Sequence, residues 1–353
     1  MKASILHAIC KITSKISNQS SLTSLYRSIE LNPTSVRCCS EFGNIELKTD
    51  PFGIAQPWLL DTQSVMAAAS TLPPDGEIVL TEHGASRLNW TCGNAKGHWN
   101  AVQSDHTIPV ITHENFPWTP PPTLAPALKL AASACQAQAV SVGLYGIVLE
   151  PENENLLLMS SNTLALAFVS IEKGTFPCGK ITVRPPVPAI IADLISSCPN
   201  CVIDVTDTGI YIKGDWLAAL LPLGVPLQHD LKEIAQKFRT TSHTAKIDNA
   251  ALMKFITRAR MLSDKHASFT IGLRIENGRL ALHHAGISSS TEEVFVAEGL
   301  DPSLNFESKP YPADMLLIAL PHVETASFDY LDSNELVLKG SNPDFLYVVG
   351  AGD

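Results

Sequence analysis

The sequence has no apolar run approaching the roughly 18 to 20 residues of a membrane-spanning helix, which argues for a soluble protein. It also lacks a nucleophile elbow, a zinc-protease helix motif and a dinucleotide fingerprint, so the residue patterns behind common hydrolytic and hydride-transfer chemistry are missing. Basic residues are in short supply: 25 Lys and Arg stand against 35 Asp and Glu, a net charge of -10. Free electrostatic binding to nucleic acid needs many cation contacts that release counterions, and this balance argues against it. Any contact with DNA must gather its cations on one surface. The opening residues, MKASILHAICKITSKIS, lack the clean apolar stretch and cleavage site of a secretory leader. They carry charge at helical spacing and are expected to form the first helix of a cytoplasmic protein, which makes the glycosylation triplets at Asn18 and Asn89 chance matches. The eight cysteines are scattered, mostly within apolar segments. In a chain of this size and compartment they read as buried free thiols and not as a disulfide framework.

The chain is long enough, at 353 residues, for two or three domains with cores of their own. One pattern recurs along it. RIENGRLALHHAG from Arg274 alternates apolar and polar residues around Asn277-Gly278, and EFGNIELKTD from Glu41 and LEPENENLLLMSS from Leu149 resemble it. Such repeats define an architecture before any other feature. Around each copy the same order returns: a helix, strands, a second helix, strands. The first helices are MKASILHAICKITSKIS, TLAPALKLAASACQAQ and DNAALMKFITRARMLS, the last with Asp248 as N-cap. The second helices are DTQSVMAAASTLP, capped by Asp61 or Thr62, then PPVPAIIADLISS with prolines in its first turn, and PADMLLIALPHV. A proline cluster, HENFPWTPPP, reads as a linker after the first unit. The predicted fold is α+β, three tandem modules of two helices packed on antiparallel strands, at residues 1–118, 119–242 and 243–353.

Several fragments imitate chemistry without its context. Gly174 to Lys180 has the glycine and lysine spacing of a phosphate loop, but Ile181 stands where a hydroxyl should meet magnesium, and a strand-like segment follows instead of a helix. Cys198-Pro-Asn-Cys201 has redox or metal spacing but no second pair, and it falls at a helix-to-strand turn. His283 and His284 alternate across a strand and cannot share a ligand. Glu292-Glu293 reads as solvated charge. No catalytic residue, metal site or cofactor is assigned, and the chain is expected not to be an enzyme.

The tandem modules resemble the bacterial sliding clamp, the DNA polymerase III beta subunit, along the whole chain. Leu144-Tyr-Gly146-Ile-Val-Leu-Glu150 is similar to the family's L-x-G-x-x-x-E strand, the helix end Ala259-Arg-Met-Leu262-Ser263 to its R-x-x-x-L-S pattern, and Tyr347-Val-Val349 to its terminal strand. The resemblance implies a head-to-tail homodimer whose six domains close a ring around double-stranded DNA, with enclosure substituting for affinity. It implies phosphate contacts from the first helices, where Lys11 and Lys15 on one and Lys254, Arg258 and Arg260 on another are candidates, and from the loops after them at Gln19, Gln138 and Lys265. Each lysine pair also reads as an ordinary solvated helix face. The implied dimer edges contain Lys96, His98 and Trp99 in the first module and Met261 and Leu262 in the third, with Trp99 equally at home in a core.

The family also holds DNA polymerase and clamp loader through short peptides, in a site between its second and third domains. There the turn usually reads T-D-G-H-R-L and the chain ends in a Met-Pro-Met-like tail. Here Ser161, Asn162, Thr163, Leu164, Ala165 and Leu166 occupy the turn, and Val348 and Gly350 lead into Ala351-Gly352. A cation and two flexible apolar side chains are lost, so a shallower, more apolar site is expected, floored by Leu164, Leu166 and Val348. Two alternatives remain: a clamp-fold regulator or decoy that does not load on DNA, and an enzyme with a thiol or phosphate site.

Overall fold

The computed structural model describes residues 1–17, 21, 23–103, 108–135, 145–162, 164–239, 244–263, 269–286, 289–323, 335–340 and 345–350, and the backbone of 326–330. The recurrent pattern is a hairpin with a two-residue loop, closed by Ser40 opposite Gly43, Glu152 opposite Asn155, and Glu276 opposite Arg279. Asn153 (φ 52°), Asn277 (φ 53°) and Gly278 (φ 71°) take the left-handed backbone that such tight loops require.

Among the described residues there are seven α-helices: α1 (Ala3–Ile16), α2 (Thr62–Thr71), α3 (Leu124–Ser133), α4 (Val187–Ser197), α5 (Leu231–Arg239), α6 (Asn249–Leu262) and α7 (Ala313–Ala319). Helix α1 forms because Leu6, Ile9, Cys10, Thr13 and Ile16 fall at helical spacing and bury one face. Asp61, not Thr62, caps α2 by accepting from the Ser64 N–H, and Asp248 caps α6 by accepting from Ala250 and Ala251. None of these helices is long and apolar enough to cross a membrane.

Two compact units result. The first comprises residues 1–125, 174–178 and 189–223. Its ten-stranded sheet runs, in spatial order, through 202–206, 209–213, 217–221, 43–48, 35–40, 28–32, 58–61, 95–103, 87–92 and 78–83, all antiparallel. The second comprises 126–173, 179–188 and 224–353. It holds an eight-stranded sheet in the order 181–183, 147–152, 155–161, 165–172, 346–350, 335–339, 326–330 and 244–247. A smaller sheet in the same unit orders 290–295, 279–285, 270–276 and 306–307, with 311–312 pairing 270–271. Strands from the middle of the sequence are thus divided: 217–221 extends the first sheet through 43–48, and 165–172 joins the second through 346–350.

The proline-rich stretch after the first module is tied down. Trp118 exchanges backbone hydrogen bonds with Ile203 at 3.2 and 2.8 Å, and His113 Nε2 meets Asp204 at 2.7 Å while its ring stacks on Tyr211. A hollow of ≈ 510 Å³ lies along residues 109–115, against Tyr211 and Leu220. The junction of 43–48 with 217–221 depends on one glycine. Gly43 has φ +127°, and a Cβ there would stand 2.3 Å from the Leu220 carbonyl oxygen. Gly43→Val is therefore expected to cost about 2 to 4 kcal/mol from strain and backbone displacement. A urea midpoint equal to that of the parent chain would refute this.

Candidate functional site

One face of the eight-stranded sheet is built from cross-strand rungs. Leu166 opposes Val348 and Val348 opposes Val337, all three buried. Two residues outward, the Gly350 N–H donates to the Leu164 carbonyl at 2.8 Å, and Gly350 opposes Glu335. Helix α5 packs on this face. Its apolar positions recur at helical spacing, with Leu231 and Ala235 buried in the core cluster of Leu166, Val337 and Val348 and with Ile234 and Phe238 half-buried against it.

A cleft of ≈ 160 Å³ opens beside α5, lined by Ile234, Phe238, Ser161, Asn162, Leu164, Ala165, Leu166, Glu335, Val348 and Gly350. Among the described residues a Cβ on Gly350 would meet only the Leu164 oxygen, at 3.6 Å, so the absent side chain leaves this part of the cleft unfilled. The turn at its lip is self-contained: Asn162 Oδ1 accepts from the N–H groups of Leu164 and Ala165 at 2.7 and 2.6 Å, and Ser161 Oγ donates to the Ala165 carbonyl. Of the residues expected at this site, Ser161, Leu164, Ala165, Leu166, Val348 and Gly350 line the one cleft. Thr163 lies outside the described residues. Ile234, Phe238 and Glu335 are additions that the sequence reading does not contain. The helix could have been found from Asp230 as a cap, apolar residues at 231, 234, 235 and 238, and Lys237 and Arg239 in the last turn.

Polar contacts at both ends hold α5. Asp230 Oδ1 accepts from the Lys232 N–H, and Lys232 Nζ reaches Glu150 at 2.7 Å and Glu152 at 3.0 Å. Lys180 Nζ lies 3.2 Å from the other Glu150 oxygen. Burial pushes the Glu150 carboxyl up, but the hydrogen bonds and charges of Lys232 and Lys180 outweigh it and hold the group below the ordinary carboxylate range. Burial likewise works against the charged Lys232, yet its two carboxylate partners raise its pKa. At the far end the Arg239 guanidinium stacks over the Phe168 ring at 4.7 Å, and Lys339 Nζ donates to the Arg239 carbonyl.

The basic residues expected to meet phosphate are exposed but mostly engaged. Lys15 pairs with Asp193, Arg258 with Glu293, and Arg260 with Asp314 at 3.4 Å. Lys11 and Lys254 are exposed and carry no ion pair among the described residues. Gln19, Gln138 and Lys265 fall outside the described residues.

Lys96 and His98 are exposed on strand 95–103. Its first half pairs with 87–92 on one side, while pairing with 58–60 on the other begins only at Ala101. Among the described residues that half therefore leaves one backbone edge open. Trp99 is turned into the core, 5.9 Å from Trp90 between ring centroids. In the second unit Met261 is 81% exposed and Leu262 38% exposed, and the neighbouring strand 290–295 is the edge of its sheet.

The chemistry-like fragments have structural surroundings. Lys180 binds Glu150, and strand 181–183 follows it. Cys198 and Cys201 are buried at the end of α4, and burial pushes Cys201 up to about 11, away from thiolate reactivity. Glu292 and Glu293 lie within the edge strand, paired with Arg274 and Arg258. Among the described residues no three His, Cys, Asp or Glu side chains are grouped to hold a metal.

No protein-family model matches this sequence, and no curated protein matches it. Solved structures do. The DNA polymerase III subunit beta of Pseudomonas aeruginosa is 16% identical with a TM-score of 0.76, covering 100% of this chain and 99% of its own. The beta sliding clamp of C. crescentus is 14% identical at TM-score 0.79, covering 100% and 98%. The DNA polymerase sliding clamp of Bacillus subtilis is 12% identical at TM-score 0.78, with the same coverage. The chain has the sliding-clamp fold from end to end.

Proposed function

We propose that this chain is a processivity clamp, a homodimeric ring that encircles duplex DNA and tethers DNA polymerase and clamp loader through short peptides. The observation that carries this reading is the clamp fold over the whole chain. Three modules, 1–118, 119–242 and 243–353, would give six domains in a dimer, although their contacts group into two units. The half-open edge at Lys96 and His98 and the edge 290–295 beside Met261 and Leu262 are suited to pairing, because unpaired strand edges tend to be covered. The cleft beside α5 is the proposed peptide site. The proposed role is a cytoplasmic scaffold without catalysis or cofactor.

A ring that works by enclosure needs little affinity. Binding to short linear duplex is expected to be weak and salt-sensitive, while loaded protein stays on closed circular DNA and is lost when the circle is cut. Neutralising Lys11 and Lys254 should slow association more than it shortens retention. Tight, salt-insensitive binding to linear duplex, or a monomer at micromolar concentration in light scattering, would overturn this function.

A second reading is favoured by the ion pairs at Lys15, Arg258 and Arg260, which engage three of the five basic helix residues among the candidate phosphate contacts. It is a clamp-fold regulator that binds clamp partners without loading. Competition for a partner peptide combined with no retention on circular DNA would select it.

A further inference from the structure

Residues 108–117 of the first unit run without helix, strand, turn or bend. From Val110 to Asn115 no backbone N–H or carbonyl meets a hydrogen-bond partner among the described residues. The stretch is nevertheless fixed in place. The Ile108 N–H donates to the buried Glu30 carboxylate at 3.1 Å, His113 Nε2 stands 2.7 Å from Asp204, and Trp118 exchanges backbone hydrogen bonds with Ile203. Its side chains alternate as in a half-buried strand: Ile111 and His113 are half-buried, while Val110, Thr112 and Glu114 are exposed. The hollow of ≈ 510 Å³ lies alongside, against Asn44, Tyr211 and Leu220. Its size falls among those of ligand sites, roughly 300 to 1,000 Å³.

We propose that residues 110–115 are a docking strand, on which an extended peptide pairs with the backbone and lays alternate apolar side chains in the hollow. The occupant has valine or isoleucine at every second position and a basic residue opposite Glu114. Main-chain pairing follows from the free N–H and carbonyl groups, which give affinity to an extended backbone while the facing side chains select its sequence. The apolar preference follows from Ile111, Tyr211 and Leu220 on the protein side, and β-branched residues suit the extended form. The basic preference follows from Glu114, which is exposed and has no ion pair among the described residues. Because Ile108, His113 and Trp118 already fix the chain, little further freedom is lost on binding. This surface belongs to the first unit and the cleft beside α5 to the second, so the docking strand is independent of the peptide site proposed above.

The test uses the full chain and labelled octapeptides of alternating valine and threonine, with Arg, Gln or Glu placed in turn at each threonine position. In the free chain the amides of 110–115 should exchange hydrogen rapidly. Saturating Arg peptide should slow alternate ones about tenfold, because a strand turns every second N–H toward one edge. Two versions of the peptide, N-methylated at alternate amides in opposite phase, should separate: one keeps its affinity within about twofold and the other loses about tenfold. Fluorescence anisotropy at low salt should place Arg about two- to fivefold tighter than Glu at one position. Glu114→Lys should reverse that order without moving the tryptophan unfolding transition. Equal loss from both methylated peptides, binding that leaves the amides of 110–115 fast, or no binding at about 1 mM peptide overturns the docking strand. Equal affinity for Arg, Gln and Glu overturns the basic preference. Amides of 110–115 that are slow without peptide and speed up on dilution would place a second copy of the chain on the strand, and the proposed occupant falls.

Discussion

Replacing Arg37 with methionine is expected to destabilise the first unit by about 3 to 5 kcal/mol, because a buried carboxylate loses its countercharge. Glu30, Arg37 and Glu46 form one cross-strand rung in the ten-stranded sheet. Glu30 is fully buried. Its oxygens accept from Asn32 Nδ2 at 2.8 Å and from the Ile108 N–H at 3.1 Å, and Arg37 Nη1 stands 3.6 Å away. Arg37 also donates through Nε and Nη2 to Glu46 at 3.0 Å. The two hydrogen bonds orient Glu30 but bring no positive charge, so its ion-pair partner is Arg37. Adding Glu30→Gln should restore most of the loss, since removing both charges leaves none uncompensated. All five tryptophans, at 58, 90, 99, 118 and 216, belong to the first unit, so their fluorescence during urea unfolding reports this unit selectively. A loss below about 0.5 kcal/mol would show that the rung does not depend on Arg37.

Leu231→Asp should have an effect of similar size in the second unit and a larger effect on binding. Leu231 is 2% exposed and leads α5 into the core shared with Leu166 and Val348. A carboxylate there costs about 3 kcal/mol or more in lost burial and desolvation. Helix α5 has nine residues, too few to persist alone in water. The expected result is local: the amides of 235–239 lose protection from hydrogen exchange, the cleft loses the wall made by Ile234 and Phe238, and peptide binding disappears. The tryptophan transition should not move. Retained protection would mean that the contacts of Lys232 and Arg239 suffice to hold the helix.

Acid should produce a milder form of the same loosening. Because the folded Glu150 carboxyl is lowered, its contribution is present above the ordinary carboxylate range and is lost as pH falls through the lowered value. The raised Lys232 contributes below the ordinary lysine range and loses its contribution only as pH rises through the raised value. The anchor is therefore whole around neutrality.

Features carried by neighbouring residues could be read directly. Asn277-Gly278 marks a hairpin because two successive left-handed residues close a two-residue loop, and Asp248 marks a helix start because a carboxylate accepts the first free N–H groups. Both effects act within a few residues, as do the periods of strands and helices. That is why the three hairpins, six of the seven described helices and the α+β class were legible in composition and spacing. The seventh, α5, had local signals as well, but its charged sequence earns meaning only against the sheet it covers.

The cleft required contacts made across the fold. Leu164 and Glu335 share a rung because strand 165–172 pairs with 346–350 and that strand with 335–339, a register set by burying Leu166, Val337 and Val348 on one face. The basic helix faces depended on such contacts too: Lys15 and Asp193 are 178 residues apart in sequence, and their pairing turns a free cation into a satisfied one. Periodicity says which face of an element is apolar. It carries no information about which other face will meet it, because that choice is made by long-range closure of sheet edges and by charge partners brought near only in the folded chain.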